Sequence, residues 1–594
     1  MTRTGIRVDE LFCSIAEKYP NRAAIISDEL SLSYADVTKR SKAAASYLQE
    51  IGVTPQSAVM IISSGGPNAI IAMLAVLMAG ASYVPADPAY PDARLELMVR
   101  ESGACWALTT EPEVTAVGNL VTIAVNAIAE RPCAKALHQS MSGPDDIAYI
   151  MFTSGTTGEP KPVGVTHRGV VDLALDGGPL TLAPEDGVLL HSTLAFDAST
   201  FEIWASLLVG AKVVSSPGSR ISLQDLTDYL SKSQVTVAWL TAPVFRLLAE
   251  YQAGVLGSLR LLVVGGDVVD AASARQIAGE FPETTIVNGY GPTENTTFST
   301  AFAVDEWDLD ECQSFPIGHS FPGTSCYVLS EGLEPVKNGD VGELYLAGER
   351  LARGYLNRPA ETAKRFLPNP FTREPGQRMY KTGDRVRKLP SDALEYLGRN
   401  DQEVKIRGFR VNLAEALAVL RADEEVHEAF IITETGPEGA FLVGFVTPEA
   451  IDIVQLRKRM KRRTPEYLIA DKILSIDAFP LASTGKIDRK ELVSIFLSSR
   501  SRADPDEHHL AVSHAGLPKI WQRHSGFYPN ADSDFFGDGG TSLSLMALVE
   551  DVRLELGVTL DFGEVYAASG FIELAELIES SAENRPDEIM GTVH

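Results

Sequence analysis

Cysteine is scarce in this chain, positive charge is in deficit, and no apolar run is long. The five cysteines, Cys13, Cys105, Cys133, Cys312 and Cys326, are odd in number, scattered, and without a Cys-x-x-Cys pair. That excludes a disulfide framework and a zinc site, and reduced thiols are expected. With 52 Lys and Arg against 79 Asp and Glu, the net charge is −27, which repels polyanions, so no nucleic acid partner is expected. The longest apolar stretch, Ala69 to Ala79, is far short of the ~20 residues a membrane span needs. It is read as a buried helix, and no membrane anchor is expected. The first ten residues include Arg3, Arg7, Asp9 and Glu10 instead of the apolar core of a secretory signal, so a cytoplasmic location is expected.

At 594 residues and 45 % apolar content, the chain exceeds one compact core, and several domains are expected. Across residues 1–397, helix-like segments (Asp36 to Glu50, Ala69 to Ala79) alternate with β-branched runs (Val59 to Ile62, Leu259 to Val264), the pattern of a large α/β lobe. The run Leu259 to Val264 ends in Gly265 and Gly266, as a buried strand does when it opens at the carboxyl edge of a sheet, where ligands bind. Residues 398–497 turn to short strands (Glu403 to Ile406, Phe441 to Val446) with two helices, a small α+β lobe. Residues 498–512 are rich in Ser and charge and read as a linker. Residues 511–594 hold 14 Asp and Glu against 4 Lys and Arg, with helical periodicity in Leu543 to Leu556 and Ile572 to Ile578. An acidic helical bundle over 513–585 and a tail over 586–594 are expected.

The segment Phe152 to Lys161 combines Thr153, Ser154, Gly155, Thr156, Thr157, Gly158 and Lys161. Glycines permit close backbone approach, hydroxyls donate, and the lysine supplies charge, which together suit a polyphosphate. It is not the common P-loop: Lys161 is followed by Pro162, not by Ser or Thr. Taken alone, a Gly/Thr surface turn fits equally well.

With Val163, Thr166 and His167 that segment resembles the phosphate loop of the adenylate-forming superfamily, which includes acyl-CoA ligases, luciferases and the adenylation domains of nonribosomal peptide synthetases. Further matches follow in the family's order: Phe196-Asp-Ala-Ser199, Asn288-Gly-Tyr-Gly-Pro-Thr-Glu294, Gly342 to Gly348, Tyr380-Lys-Thr-Gly-Asp384, Gly398-Arg-Asn-Asp401 with Lys405 to Gly408, and Gly485-Lys-Ile-Asp-Arg489. The resemblance implies ATP and Mg2+ as cofactors, with Glu294 helping to hold the metal and Thr157 and Thr293 near phosphate or metal. Asn288 and Tyr290 would receive adenine, Asp384 and Arg399 the ribose, and Gly266 and Gly291 would also bind ATP. Lys486 would bridge the substrate carboxylate and the α-phosphate as charge develops. Asp401 would be the hinge about which the small lobe turns between two half-reactions.

Asp197 matches the branch that activates α-amino acids, where a carboxylate pairs with the substrate ammonium; an unpaired buried Asp would be costly beside a neutral acid. By alignment with the family's pocket positions, Asp197, Ala198, Phe201, Trp239, Val263, Gly265, Gly289, Thr297, Phe298 and Lys486 resemble the valine pattern. Bulky Phe201, Trp239 and Phe298 would shorten the cavity, with isoleucine and 2-aminobutyrate as the natural leaks.

Asp534-Phe-Phe-Gly-Asp-Gly-Gly-Thr-Ser542 resembles the attachment motif of peptidyl carrier proteins, with 4'-phosphopantetheine on Ser542 at a helix start; the bland reading is a helix N-cap serine. The family then implies a phosphopantetheinyl transferase and a downstream condensation, tailoring or thioesterase protein as partners. A Gly-x-Ser-x-Gly elbow is excluded by Ser544, and His508-His509 lacks the Asp-Gly of a condensation motif. Glu159, Pro162, Asn412-Leu-Ala-Glu415 and Thr541 depart from the family's usual residues. The basic run Arg457 to Arg463 is read as a solvated helix face. The expectation is an amino-acid adenylating ligase loading its own carrier; the alternatives are an aliphatic acyl or amino-acid ligase of other specificity, or an inactive carrier or scaffold.

Overall fold

The computed structural model describes residues 5–583 except 113, 115–116, 119, 133–141, 156–158, 176–177, 217–221, 233, 308–313, 402, 407, 437–438, 482–486, 502–515, 532, 537 and 539. Thr156, Thr157, Gly158, Lys486, most of the expected linker and the tail therefore lie outside the described residues, as does the side chain of Ser542. The chain forms two compact units, one of residues 1–219, 229–415 and 463–465, the other of 220–228, 416–462 and 466–594.

The first unit is built on a seven-stranded and a nine-stranded sheet. In the former, Ala58–Ile62 and Ser82–Ala86 run parallel and are buried at every position, as continuous apolar strands covered on both faces must be. The helix Pro67–Met78 starts with proline in its first turn after Gly66 at φ 87°, and Ala69 to Met78 are all buried. The apolar run is thus the core helix expected.

In the nine-stranded sheet, Val237–Thr241, Leu261–Gly265 and Thr285–Tyr290 are parallel neighbours. Their register sets Thr241 beside Gly265 and Gly265 beside Gly289, one level at the carboxyl edge. The strand begins at Leu261 and not Leu259, because Leu259 closes a turn on the Leu256 carbonyl. The hairpin Glu403–Ile406 and Phe409–Asn412 turns at Gly408, whose φ is 85° and where an added Cβ would stand 2.9 Å from Thr241 Cγ2, so a side chain is disfavoured there.

In the second unit, Glu428–Gly436, Gly439–Thr447 and Lys472–Ser475 form one sheet. Residues 398–497 contain three helices and not two: Leu413–Arg421, Ile453–Lys461 and the start of Arg489–Ser501. In the last, Leu492 and Phe496 stand one turn apart and pack with Val443 and Phe445, which carries the helix through Ser498 into residues read as linker. In the basic run Lys458, Lys461, Arg462 and Arg463 are exposed, as a solvated face requires, while Arg457 donates to the carbonyls of Ala470 and Asp471 and Arg459 forks onto Asp423 at 2.7 and 2.9 Å.

Four helices follow, Leu517–Ser525, Ser542–Asp551, Phe562–Ala567 and Phe571–Glu583. Trp521 packs edge-on against Phe535 and Phe571, with centroids 5.1 and 5.2 Å away, and its indole donates to Asp538. A Cβ at Gly540 would stand 2.3 Å from the Phe535 ring, so the glycine before the expected attachment serine is a packing requirement.

Candidate active site

The parallel strands end in a partly open cavity of about 70 Å³. Asp197, Ala198, Trp239, Gly266, Gly289, Tyr290, Gly291, Thr293, Thr297 and Phe298 line it, together with Phe196, Asp384, Arg399, Lys405, Gly408 and Arg410. Phe201, Val263 and Gly265 stand behind this wall. Phe201 meets Phe298 edge-on at 5.5 Å, and a Cβ on Gly289 would be 3.1 Å from Val263. Phe201 opens a π-helical turn, Phe201–Ala205, a rare feature found mostly at functional sites. Thr296 and Thr297 hold φ of 52° and 68°, a strained pair fixed by three contacts. Thr296 donates to the Arg350 carbonyl, the wholly buried Arg350 donates to the Phe298 carbonyl, and Thr297 donates to the Asp197 carbonyl.

Asp197 is 8 % exposed. Its carboxylate accepts from the Thr293 hydroxyl at 2.6 Å. Burial pushes its carboxyl up to about 6; the Thr293 bond opposes that rise and the nearby Glu294 adds to it. A carboxylate in such a place gains by meeting a cation.

At the other end of the cavity each carboxylate already has a cation. Asp384 accepts from Arg399 at 2.5 Å and from the Tyr290 hydroxyl at 2.5 Å. Arg399 and Arg365 both hold Asp401. The Tyr290 ring has the Lys405 ammonium 5.7 Å from its centroid. Asn288 gives its amide hydrogens to the carbonyls of Phe315 and Pro316, which leaves its carbonyl oxygen as the group to offer. Glu294, 1 % exposed, accepts from Arg410 at 2.8 Å and from Tyr355 at 2.7 Å. Burial works against its charge, yet Arg410 and the tyrosine hydroxyls hold it down to about 2.

Among the described residues no group of three or more His, Cys, Asp or Glu forms a metal cage. Glu294 nonetheless carries a cation, the Arg410 guanidinium. Magnesium, which takes one or two carboxylates and completes its octahedron with phosphate and water, fits that single buried donor. The phosphate segment fits an anion. The hydroxyls of Thr153 and Ser154 are buried without a partner among the described residues, and Lys161 is buried, 3.3 Å from Glu361. Unpaired buried hydroxyls are costly unless a ligand uses them.

In the helical bundle, Thr541 caps the helix Ser542–Asp551, its side chain accepting from the Ser544 amide. The N-cap role therefore belongs to Thr541, and Ser542 is the first helical residue. Sequence reasoning missed Arg410, Tyr355 and Arg350. Arg410 stands two residues after Gly408, inside a stretch already singled out, whereas Tyr355 and Arg350 carry no local signal.

Comparison with known proteins agrees with this geometry. The family of AMP-binding enzymes matches residues 12–356, and the phosphopantetheine attachment site matches 525–578. Linear gramicidin synthase subunits B and C of Brevibacillus parabrevis are 37 % and 36 % identical over 97 % of this chain. The chain spans only 11 % and 8 % of their lengths. Among solved structures, holo-PA1221, an NRPS protein containing adenylation and PCP domains bound to a vinylsulfonamide inhibitor, superposes with TM-score 0.86, 30 % identity and 97 % coverage of both chains. The fused adenylation–PCP di-domain NpsA-ThdA from Klebsiella oxytoca superposes with TM-score 0.74 and 26 % identity, covering 84 % of this chain and 97 % of that one. No helix among the described residues is long and apolar enough to cross a membrane. The chain belongs to the AMP-binding enzymes, as an ATP-using adenylating enzyme of the nonribosomal peptide synthetase type joined to a phosphopantetheine carrier domain.

Proposed function

We propose that the enzyme activates an amino acid, L-valine before others, and transfers it as a thioester to phosphopantetheine on Ser542 for peptide or related natural-product assembly. One observation supports an amino acid above other acids: Asp197 is a buried carboxylate on the cavity wall that accepts from the Thr293 hydroxyl, with Lys405 and Arg410 acting on it through space. A substrate ammonium supplies the missing charge, and a neutral acid leaves it uncompensated. Valine is favoured by a short apolar wall in which Trp239 and Phe298 face the cavity, with Phe201 and Val263 filling the space behind.

In the first step the substrate carboxylate oxygen attacks the α-phosphorus, the bond to the β-phosphate oxygen breaks, and pyrophosphate departs with the electron pair. Thr153, Ser154 and Lys161 offer donors to the polyphosphate, Asp384 accepts from the ribose hydroxyls once Arg399 and Tyr290 yield, and Lys486 is assigned the charge developing at the α-phosphate. Magnesium on Glu294 supplies charge neutralisation for the phosphates when bound. In the second step a thiol sulfur attacks the acyl carbon and AMP leaves. Asp401, held by Arg399 and Arg365, is the proposed hinge between the steps. Phosphopantetheine supplies that thiol, so a phosphopantetheinyl transferase is a partner, and a condensation, tailoring or thioesterase protein receives the acyl group.

Mass spectrometry of the intact protein after phosphopantetheinylation tests this reading. Valine and ATP should add one valyl residue to the wild type and none to Ser542→Ala. A valyl adduct retained by Ser542→Ala would overturn the assignment of the serine.

A further inference from the structure

Arg94 lies in the first turn of the helix Asp92–Ser102, in a stretch the motif reading did not use. Its side chain is 7 % exposed, and its guanidinium stands 3.5 Å from Glu415, whose side chain is 4 % exposed. The other oxygen of Glu415 accepts the Gly155 amide of the phosphate segment at 3.2 Å. Lys161 acts on the same carboxylate, and its Cε is 3.5 Å from where a Cβ on Gly155 would stand. Two cations and a loop amide therefore converge on one carboxylate, beside the buried hydroxyls of Thr153 and Ser154, which have no partner among the described residues. That donor set is built for an anion with more oxygens than a carboxylate offers.

We infer that Arg94 is a ligand of the terminal phosphates of the nucleotide and of pyrophosphate, and that Glu415 keeps their place as a carboxylate stand-in. The inference rests on the nucleotide reading of the site, not on which acid is activated. A second contact of the same segment points the same way. Arg410, five residues before Glu415, sits on Glu294, a cation at the carboxylate assigned to magnesium. Residues 403–415 thus bring a negative group to the phosphate half and a positive group to the metal half. Burial pushes the Glu415 carboxyl up to about 7, while Arg94, the Gly155 amide and Lys161 pull the other way.

Calorimetry on the full chain with magnesium pyrophosphate, Mg-ATP and AMP decides the matter. Arg94→Gln should weaken pyrophosphate and ATP by about tenfold or more, the size of one lost charge-assisted contact, and leave AMP within about twofold. Glu415→Gln, which removes the competing charge, should tighten pyrophosphate severalfold. Unchanged pyrophosphate affinity in Arg94→Gln, or an equal loss for AMP, would overturn the role of Arg94. Unchanged or weaker binding in Glu415→Gln would overturn the stand-in, and that variant decides alone if Arg94→Gln does not fold. A wild type that binds these ligands as expected but activates no amino acid would sink the valine reading and leave this one standing.

Discussion

Asp197, on the cavity wall, and Glu294, close enough to act on it, are both buried carboxylates, yet their acidities move in opposite directions, up to about 6 and down to about 2. Burial penalises both charges alike. The difference is the direct contact: Glu294 has the Arg410 guanidinium at 2.8 Å, whereas Asp197 accepts from the Thr293 hydroxyl and feels Lys405 and Arg410 through space. The chain thus neutralises its own carboxylates at the nucleotide end and leaves that of the acid-binding end for the substrate to neutralise. Asp384 is paired in the same way, with Arg399 at 2.5 Å.

The contrast breaks first at Asp197. Asp197→Ala should lower kcat/KM for valine by about a hundredfold or more, since it leaves a buried ammonium unpaired at about 3 kcal/mol or above. The KM for ATP should stay near the wild-type value; steady-state exchange kinetics with each substrate varied checks both. Next in size is selection between side chains. Isoleucine should trail valine by roughly ten- to two-hundredfold in kcat/KM, the range one methylene allows in an apolar pocket, measured by competition for loading. The pH profile sharpens the comparison further. Valine binding needs Asp197 ionised, so kcat/KM for valine should fall about tenfold for each unit below pH 6. ATP binding depends on Glu294, ionised far below that range, and should not follow. The smallest effect belongs to Thr293→Val, which removes the hydroxyl that holds Asp197 down. It should cost about 1 kcal/mol, roughly fivefold, and move the acid limb of the profile to higher pH.

What the sequence made legible was local. The apolar helix Pro67–Met78, the strand ending at Gly265 and the order of the motifs follow from short-range pattern, because burial on both faces and the sheet's carboxyl edge leave direct marks in composition. The contacts that decide the electrostatics were not legible, since Arg410 and Glu294 are 116 residues apart and Gly155 and Glu415 are 260. The helix through Ser501 was missed because Leu492 and Phe496 anchor it from upstream while the residues ahead are polar. Thr541 reads as an oddity in the attachment motif until its cap on Ser544 is seen. The serine after it is then the first residue of the helix, freed from the capping role.

The most direct measurement is ATP–pyrophosphate exchange with each proteinogenic amino acid and with valine's analogue lacking the amino group. If the Asp197 carboxylate awaits an ammonium, valine should drive the fastest exchange and the analogue almost none. Exchange that is equal with the analogue, or absent with every amino acid, would contradict the account.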